Sequence, residues 1–368
     1  MTTSRRPLAA VVAAVAVAAV VGGGLLASAR TPRSQVGVAA APLSANAAST
    51  TPVPVKVPID VAKLGTGREP QLPYVRGRTV LGGVSTPVKV PGTTTVEAAA
   101  RLWDTTLTVQ VASATSSSLA IQDHTGKVVE RIKGVDSLTT SADGKYAAYA
   151  SGGQYALGEA GGKVYFQEPG TKPTAVLDRP KVSDLSVLAV VGRSVYFRNA
   201  RSDGATGWSL YRWDVDEKSI HAYAYVASPV SVTSHSSLAA GIPVFTDSGL
   251  CSAVTDLDSG LQRWRTCQYR LDSFSPTNEF VIGLPPTGGA PYGETRTAAL
   301  DSKTGTVLRE WTGPSLRGAV AEDDDHVLLL WHDRPEPQSR SAVVRCTVST
   351  GQCELATPLS PEPLLLGS

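Results

Sequence analysis

Four cysteines, five histidines and one dense run of carboxylates are the residues with which this 368-residue chain could do chemistry. His124, His221, His235, His326 and His332 stand far apart, and no His-Glu-x-x-His, Gly-x-Ser-x-Gly or Cys-x-x-Cys accompanies them. No local motif therefore encodes zinc hydrolysis, a serine nucleophile or thiol exchange. Glu322-Asp323-Asp324-Asp325-His326 offers oxygen ligands for calcium, but the Asp-x-Asp-x-Asp-Gly spacing is absent. Successive side chains on an extended strand also point to opposite sides, so a solvated acidic turn is the expectation. Gly152–Gly162 is glycine-rich, yet Lys163 is followed by Val164 and a strand pattern. A phosphate cradle needs a helix there, so this stretch reads as a connecting loop. No catalytic residue, cofactor-binding residue or metal ligand is assigned, and no cofactor is expected.

The cysteines carry a sharper signal. Cys251 and Cys267 flank the turn-like Asp256–Gly260, with Ser259 at their midpoint. Cys346 and Cys353 flank Thr347–Gly351, with their midpoint between Ser349 and Thr350. Residues equidistant from a hairpin turn face each other at the short separation a disulfide needs. Zinc competes for such residues, but Cys-x15-Cys and Cys-x6-Cys on separate hairpins have the wrong spacing. Two disulfides, Cys251–Cys267 and Cys346–Cys353, are the expectation.

The elements that hold these residues are hairpins. Thr297–Trp311 alternates, turns at Asp301–Gly305 and alternates again. Similar turns end at Gly126, Gly170, Ser219, Gly260 and Gly351, a mean spacing of about 45 residues, with a fainter copy at Arg78–Val90. Between them lies a second set of strand pairs, clearest at Ser137–Ala150 and recurring at Val187–Phe197, Val230–Phe245, Phe274–Ile282 and Gly318–Trp331. Two hairpins per period make four strands, the unit of a β-propeller blade. A lone four-stranded sheet buries too little apolar surface to offset its chain entropy, whereas a ring of blades covers both faces of each. The expected fold class is all-β, a β-propeller of four-stranded blades, seven in number or alternatively six. The last hairpin lies near the C-terminus, so ring closure is expected to pair N- and C-terminal strands in one blade.

Individual turns carry a family likeness. Ser141-Ala142-Asp143-Gly144-Lys145-Tyr146-Ala147-Ala148-Tyr149 resembles the Ser-Pro-Asp-Gly-x-Ala-Tyr inner turn of secreted WD40-like and TolB-like propellers, with Ala in place of Pro. Asp256–Trp264 is similar to quinoprotein-like repeats, and Asp301 to Trp311 follows the same pattern with the Trp two residues late. The resemblance covers residues 72–360 and implies architecture, without transferring any catalytic or cofactor residue. Within that frame Trp103, at the Leu102-Trp103-Asp104 turn, reads as blade packing. Ser202–Trp213 brings aromatics and arginines to one rim, as contact surfaces favour. Arg201, Trp208 and Arg212 form the candidate binding rim, Trp208 being the exposed member, with Tyr211 and Trp213 directed into blade packing.

The N-terminus points to export. Arg5 and Arg6 precede an apolar run, Leu8–Ala29, that ends in small residues. Residues 1–29 read as a signal peptide or, alternatively, a signal-anchor helix. Residues 30–58, rich in Ala, Pro, Ser and Thr, read as a disordered tether, and residues 59–368 as the propeller. Charged residues are 18% with a net charge of +2, which gives no concentrated basic face for nucleic acid. A monomer outside the cytoplasm is expected, secreted or held by a single N-terminal anchor at the outer face of the membrane. The expected function is non-catalytic binding of an envelope or extracellular protein or glycan. A lyase or hydrolase in the central funnel and a membrane-tethered scaffold or sensor are the alternatives.

Overall fold

The computed structural model describes residues 55–83, 86–152, 161–200, 207–246, 249–286, 293–335 and 338–367. The expected signal segment and nearly all of the tether lie outside them. The described strands form five four-stranded antiparallel sheets and one eight-stranded sheet. The larger sheet is two four-stranded arrays that share the fifteen-residue strand Val307–Ala321, the fourth strand of one and the first of the next, with one added strand at its side. That makes seven four-stranded arrays among the described residues, within the expected range of six to seven, and the protein is an all-β propeller.

In chain order the arrays are taken as blades 1 to 7. Blade 1 combines the C-terminal Leu364–Leu366 with Tyr74–Arg76, Thr79–Leu81 and Val88–Lys89, which closes the ring. Blade 2 runs Thr95–Leu102, Thr105–Ser113, Ser116–Gln122 and Val128–Lys133. Blade 3 spans Val135–Arg179, blade 4 Ser186–Tyr223, blade 5 Pro229–Thr266, blade 6 Arg270 to about Thr312, and blade 7 Ser315–Leu355.

Repeated local chemistry makes the turns. In four of the outer hairpins an aspartate sits where the third strand ends and accepts two backbone N–H groups of the turn. Asp301 Oδ1 accepts from Lys303 and Thr304 at 2.9 and 2.7 Å, and Asp256 Oδ1 accepts from Asp258 and Ser259 at 3.1 and 2.8 Å. Asp123 and Asp214 repeat the arrangement. Gly126, Gly260, Gly305 and Gly351 then take positive φ, where a side chain is strained. In the inner hairpins a hydroxyl does the equivalent work: Ser141, Thr233 and Ser275 each accept backbone N–H groups at the far side of the turn.

The core is divided among the gaps between blades. Leu107, Val109 and Ile121 of blade 2 meet Val135 and Tyr149 of blade 3. Val164 and Phe166 of blade 3 meet Phe197 and Trp213 of blade 4. The series continues around the ring to Leu328, Leu330 and Val343 of blade 7 against Tyr74 and Leu364 of blade 1. Between blades 1 and 2 the buried set shrinks to Val75, Val80, Val90 and Ala99.

The tether expected to reach Pro58 ends earlier. Val55–Pro58 is a strand, paired in parallel with Arg309–Thr312 on the open edge of blade 6. Lys56 also reaches the buried Glu310 at 3.4 Å. The chain then follows blade 7, where Thr66 bridges Leu355. It enters blade 1 past a buried ion pair. Arg345 grips Glu322 through two bonds of 2.5 and 2.8 Å and Glu354 through a third of 2.7 Å. The same guanidinium donates to the carbonyls of Arg68 and Glu69, while Glu322 accepts the N–H of Gln71 at 2.6 Å.

Arg345→Met leaves the buried Glu322 with only the half-exposed Arg68, 3.4 Å away, and is expected to lower unfolding free energy by roughly 3–5 kcal/mol in urea denaturation. Arg345→Met combined with Glu322→Leu removes both charges and is expected to recover most of that loss. A double variant as unstable as the single one would show that the pair itself, and not its imbalance, holds the ring.

Candidate functional site

A cavity of about 320 Å³ lies on the propeller axis, walled by residues from blades 2 to 7 and by Leu72 and Pro73 at the entry to blade 1. Its wall alternates aliphatic and aromatic groups, among them Leu188, Val232, Phe274 and Val320, with the hydroxyls of Thr139, Ser141, Ser231 and Ser275. Two of those hydroxyls already serve their own turns: Ser141 donates to Asp143 at 2.7 Å, and Ser275 accepts from Glu279 at 2.9 Å. The ionisable lining residues are Arg101 and Glu322. Arg101 donates to Thr106 and to the carbonyls of Val80 and Thr86, and Glu322 is held by Arg345. Both charges are engaged in joining blades. The cavity can accept an apolar or hydroxylated group, but its lining sets no acid and base facing each other across a reacting atom.

Asp272 is the most perturbed carboxyl on an innermost strand. It is half-buried, and desolvation raises its pKa above the usual carboxylate range against the pull of Arg270.

The histidines are not brought together. His124 is exposed on the outer turn of blade 2, and His221 is exposed on the edge of blade 4 with its ring edge-on to Tyr223. His235 caps the inner turn of blade 5 beside Ser234 and Asn278. His326 contacts Asp323 at 2.9 Å within its own turn. His332 is buried in blade 7 with Nδ1 2.7 Å from Ser339 Oγ, and burial pushes its pKa down to about 4, assisted by Arg317.

The acidic turn departs from expectation. Glu322 is buried, not solvated, because blade 7 delivers Arg345 to it. Asp323 accepts the N–H groups of Asp325 and His326, Asp324 that of Thr277 in blade 6, and Asp325 the N–H and hydroxyl of Ser349. Asp323 thus braces its own turn, while Glu322, Asp324 and Asp325 tie neighbouring segments.

The candidate rim is also corrected. Arg201 lies outside the described residues. Trp208 is half-buried, not exposed, because Arg198 lies over its ring at 4.8 Å. Arg212 sits on the same strand, Trp208–Asp214, but four residues away and opposite Tyr196 and His221, inside the sheet. Trp208 and Arg212 share one face of blade 4 without converging on a common point. Trp213 is buried and Tyr211 stacks on Phe197 at 5.4 Å, as expected. Trp103 instead stands out at 62% exposure, since its residue forms the tight turn itself at φ 56° and not a strand position facing a blade. Phe245, at 81% exposure near the end of the second strand of blade 5, is an exposed aromatic that alternation alone assigned to the blade.

Both disulfides form. Cys346 lies directly opposite Cys353 with Cα atoms 4.1 Å apart, and Ser252 opposite Thr266 brings Cys251 to Cys267 at 4.0 Å. Each joins the third and fourth strands of a blade that hydrogen bonds already join.

Among solved structures, an uncharacterized protein from Listeria monocytogenes matches at TM-score 0.49 and 7% identity, covering 83% of this chain and 92% of that one. A putative TolB from Agrobacterium tumefaciens matches at TM-score 0.45 and 14% identity, over 66% of this chain and 85% of that one. One of the neighbours is a prolyl endopeptidase at TM-score 0.48 and 13% identity, over 83% of this chain and 50% of that one. No protein-family model matches the sequence, and no curated protein does.

The Cys251→Ser, Cys267→Ser variant is expected to speed amide hydrogen exchange in Gln262–Thr266 by roughly tenfold or more while barely moving the global unfolding midpoint. A large global loss would instead assign the bridge to the core. His332 supplies a pH test. Its folded pKa lies below the ordinary histidine value, so the unfolded chain binds the extra proton first. Its share of stability is complete above about pH 6.5 and is lost as pH falls toward its folded pKa of about 4. Denaturation midpoints between those limits should fall less steeply in His332→Gln than in the wild type.

Proposed function

We propose that this chain is an exported, non-catalytic binding propeller that works outside the cytoplasm and presents one face of the ring to a protein or glycan of the cell envelope. The observation that carries the reading is the asymmetry of the two faces. In blades 2 to 7 the first-to-second and third-to-fourth strand connections leave at one end and span two to seven residues. The second-to-third connections leave at the opposite end, and four of them span seven to ten residues: Ser151 to Gly162, Ala200 to Trp208, Leu284 to Glu294 and His332 to Ser341. Connections between the strands of a rigid scaffold are where recognition concentrates.

The N-terminal strand fits this arrangement. It runs parallel to Arg309–Thr312, which rises from the turn end toward the connection end. Val55 therefore lies nearer the turn end. The basic start and apolar run of residues 5–29 support export, and two disulfides suit an oxidising compartment. Signal cleavage would make the protein secreted; retention of the apolar run would make it a membrane-tethered scaffold.

Phe245 marks the connection face and Leu261, 67% exposed on the outer turn of blade 5, marks the other. A photo-cross-linking residue at position 245 is expected to capture one envelope component from intact cells in near-stoichiometric yield, and the same residue at 261 to capture none. Capture at 261 alone would reverse the assignment of faces. Specific capture at neither would remove a stable partner and favour a small ligand in the axial cavity.

A further inference from the structure

Blade 2 has two unlike faces. Along Thr105–Ser113 the residues Leu107 and Val109 face blade 3, while Thr106, Thr108 and Gln110 alternate with them toward blade 1. The pattern extends across the sheet. Gln110 pairs with Ser118, and Ser118 with Lys133; Thr108 pairs with Ala120, and Ala120 with Arg131. Two rows of polar and cationic groups thus occupy a face that, at other junctions, is aliphatic or aromatic.

Blade 1 is too short to cover it. Its strands there are three, three and two residues long, against nine, seven and six in blade 2. The backbone carbonyl of Lys89 in blade 1 accepts from Gln122 Nε2 at 2.8 Å, near the turn end. Toward the connection end the face opens into a cavity of about 360 Å³ whose lining includes Thr94, Gln110, Ser118, Arg131 and Lys133.

The cations are the informative part. Arg131 and Lys133 lie two apart on one strand, so their side chains share a face. Arg131 donates to Ser118 Oγ at 3.2 Å, and among the described residues neither cation has a carboxylate partner. Two cations of other outer hairpins do pair with carboxylates: Lys163 meets Asp178 at 3.2 Å, and Arg263 pairs with Asp256. Two adjacent like charges repel unless an anion lies between them. A guanidinium fork, an ammonium and nearby hydroxyl and amide groups form the donor set that carboxylate or phosphate accepts.

We propose that this uncovered face of blade 2 is a binding site for an oxyanion-bearing ligand, its carboxylate or phosphate held by Arg131 and Lys133 and its hydroxyls by Ser118 and Thr94. The site does not depend on the compartment or on the partner of the connection face.

Calorimetric titration of the full-length protein at low ionic strength, with inorganic phosphate, glucuronate and glucose in separate runs, tests it. Binding of either anion and not of glucose is expected. Arg131→Gln and Lys133→Gln should each weaken that binding by about tenfold or more, and Lys163→Gln should leave it unchanged. Phosphate alone would identify a phosphoryl ligand, and glucuronate alone an acidic sugar; either supports the site. Failure of both anions to bind, equal binding of glucose, or unchanged affinity in Arg131→Gln and Lys133→Gln would overturn it. The two variants alter exposed side chains, and an unchanged thermal midpoint would separate lost binding from lost folding.

Discussion

A propeller has to close, and in this chain closure rests on the contact between blade 7 and the strands that begin and end the sequence. Leu364–Leu366 supplies three backbone pairings with Tyr74–Arg76, a short seam for so large a ring. Arg345 and Glu322 reinforce it. Both are buried, both belong to blade 7, and together they hold the backbone from Arg68 to Gln71 as it enters blade 1. Burying two charges is costly in itself, and such a pair rarely stabilises more than an apolar replacement would. Its value here is geometric. A guanidinium has five fixed donors, and this one spends them on two carboxylates and two carbonyls from separate segments. An aliphatic side chain at that place would fill the space without specifying which backbone atoms meet.

The rest of the ring is built from a cheaper device repeated many times. Aspartate in the outer turns and a hydroxyl in the inner turns each satisfy backbone donors that the reversal would otherwise leave unpaired. Because the bonds span only two to five residues, each turn is specified locally. That is why the hairpins, the period and both cysteine pairings were legible in the sequence alone. A cysteine's partner depends only on where its own hairpin turns.

What was not legible depended on other blades. Glu322 occupies the place that a hydroxyl holds in Ser141, Thr233 and Ser275, and that exception was the available clue. Its partner, Arg345, lies 23 residues away, and the backbone they hold lies more than 250 residues upstream. Trp208 looked exposed because nothing in its own strand covers it; Arg198, from the neighbouring strand, does. The segment Val55–Pro58 looked like tether because its strand partners, Arg309–Thr312, lie at the other end of the chain. Proline at position 58 is tolerated there because the segment pairs along an edge.

The same distinction separates the two polar features of the molecule. The charged groups at the axis are consumed by closure and two of its hydroxyls by turns, so the cavity there is defined mainly by its shape and its apolar wall. Polar groups on blade 2 serve neither purpose. Thr108 and Gln110 bond each other, and Gln110 bonds Thr94, which satisfies the buried amide without using Arg131 or Lys133. An interior face of threonine and glutamine is a poor contact for a neighbouring blade, and the neighbouring blade is correspondingly short, with the smallest buried set of the ring. Loss of apolar packing at one junction is compatible with a closed ring only if other junctions hold it, and the adjacent one, between blades 7 and 1, carries the buried ion pair. The weak junction and the reinforced junction flank the same short blade. That pairing makes blade 1 the place where apolar burial gives way to specific polar contacts, leaving the opposing face of blade 2 free of a packing duty.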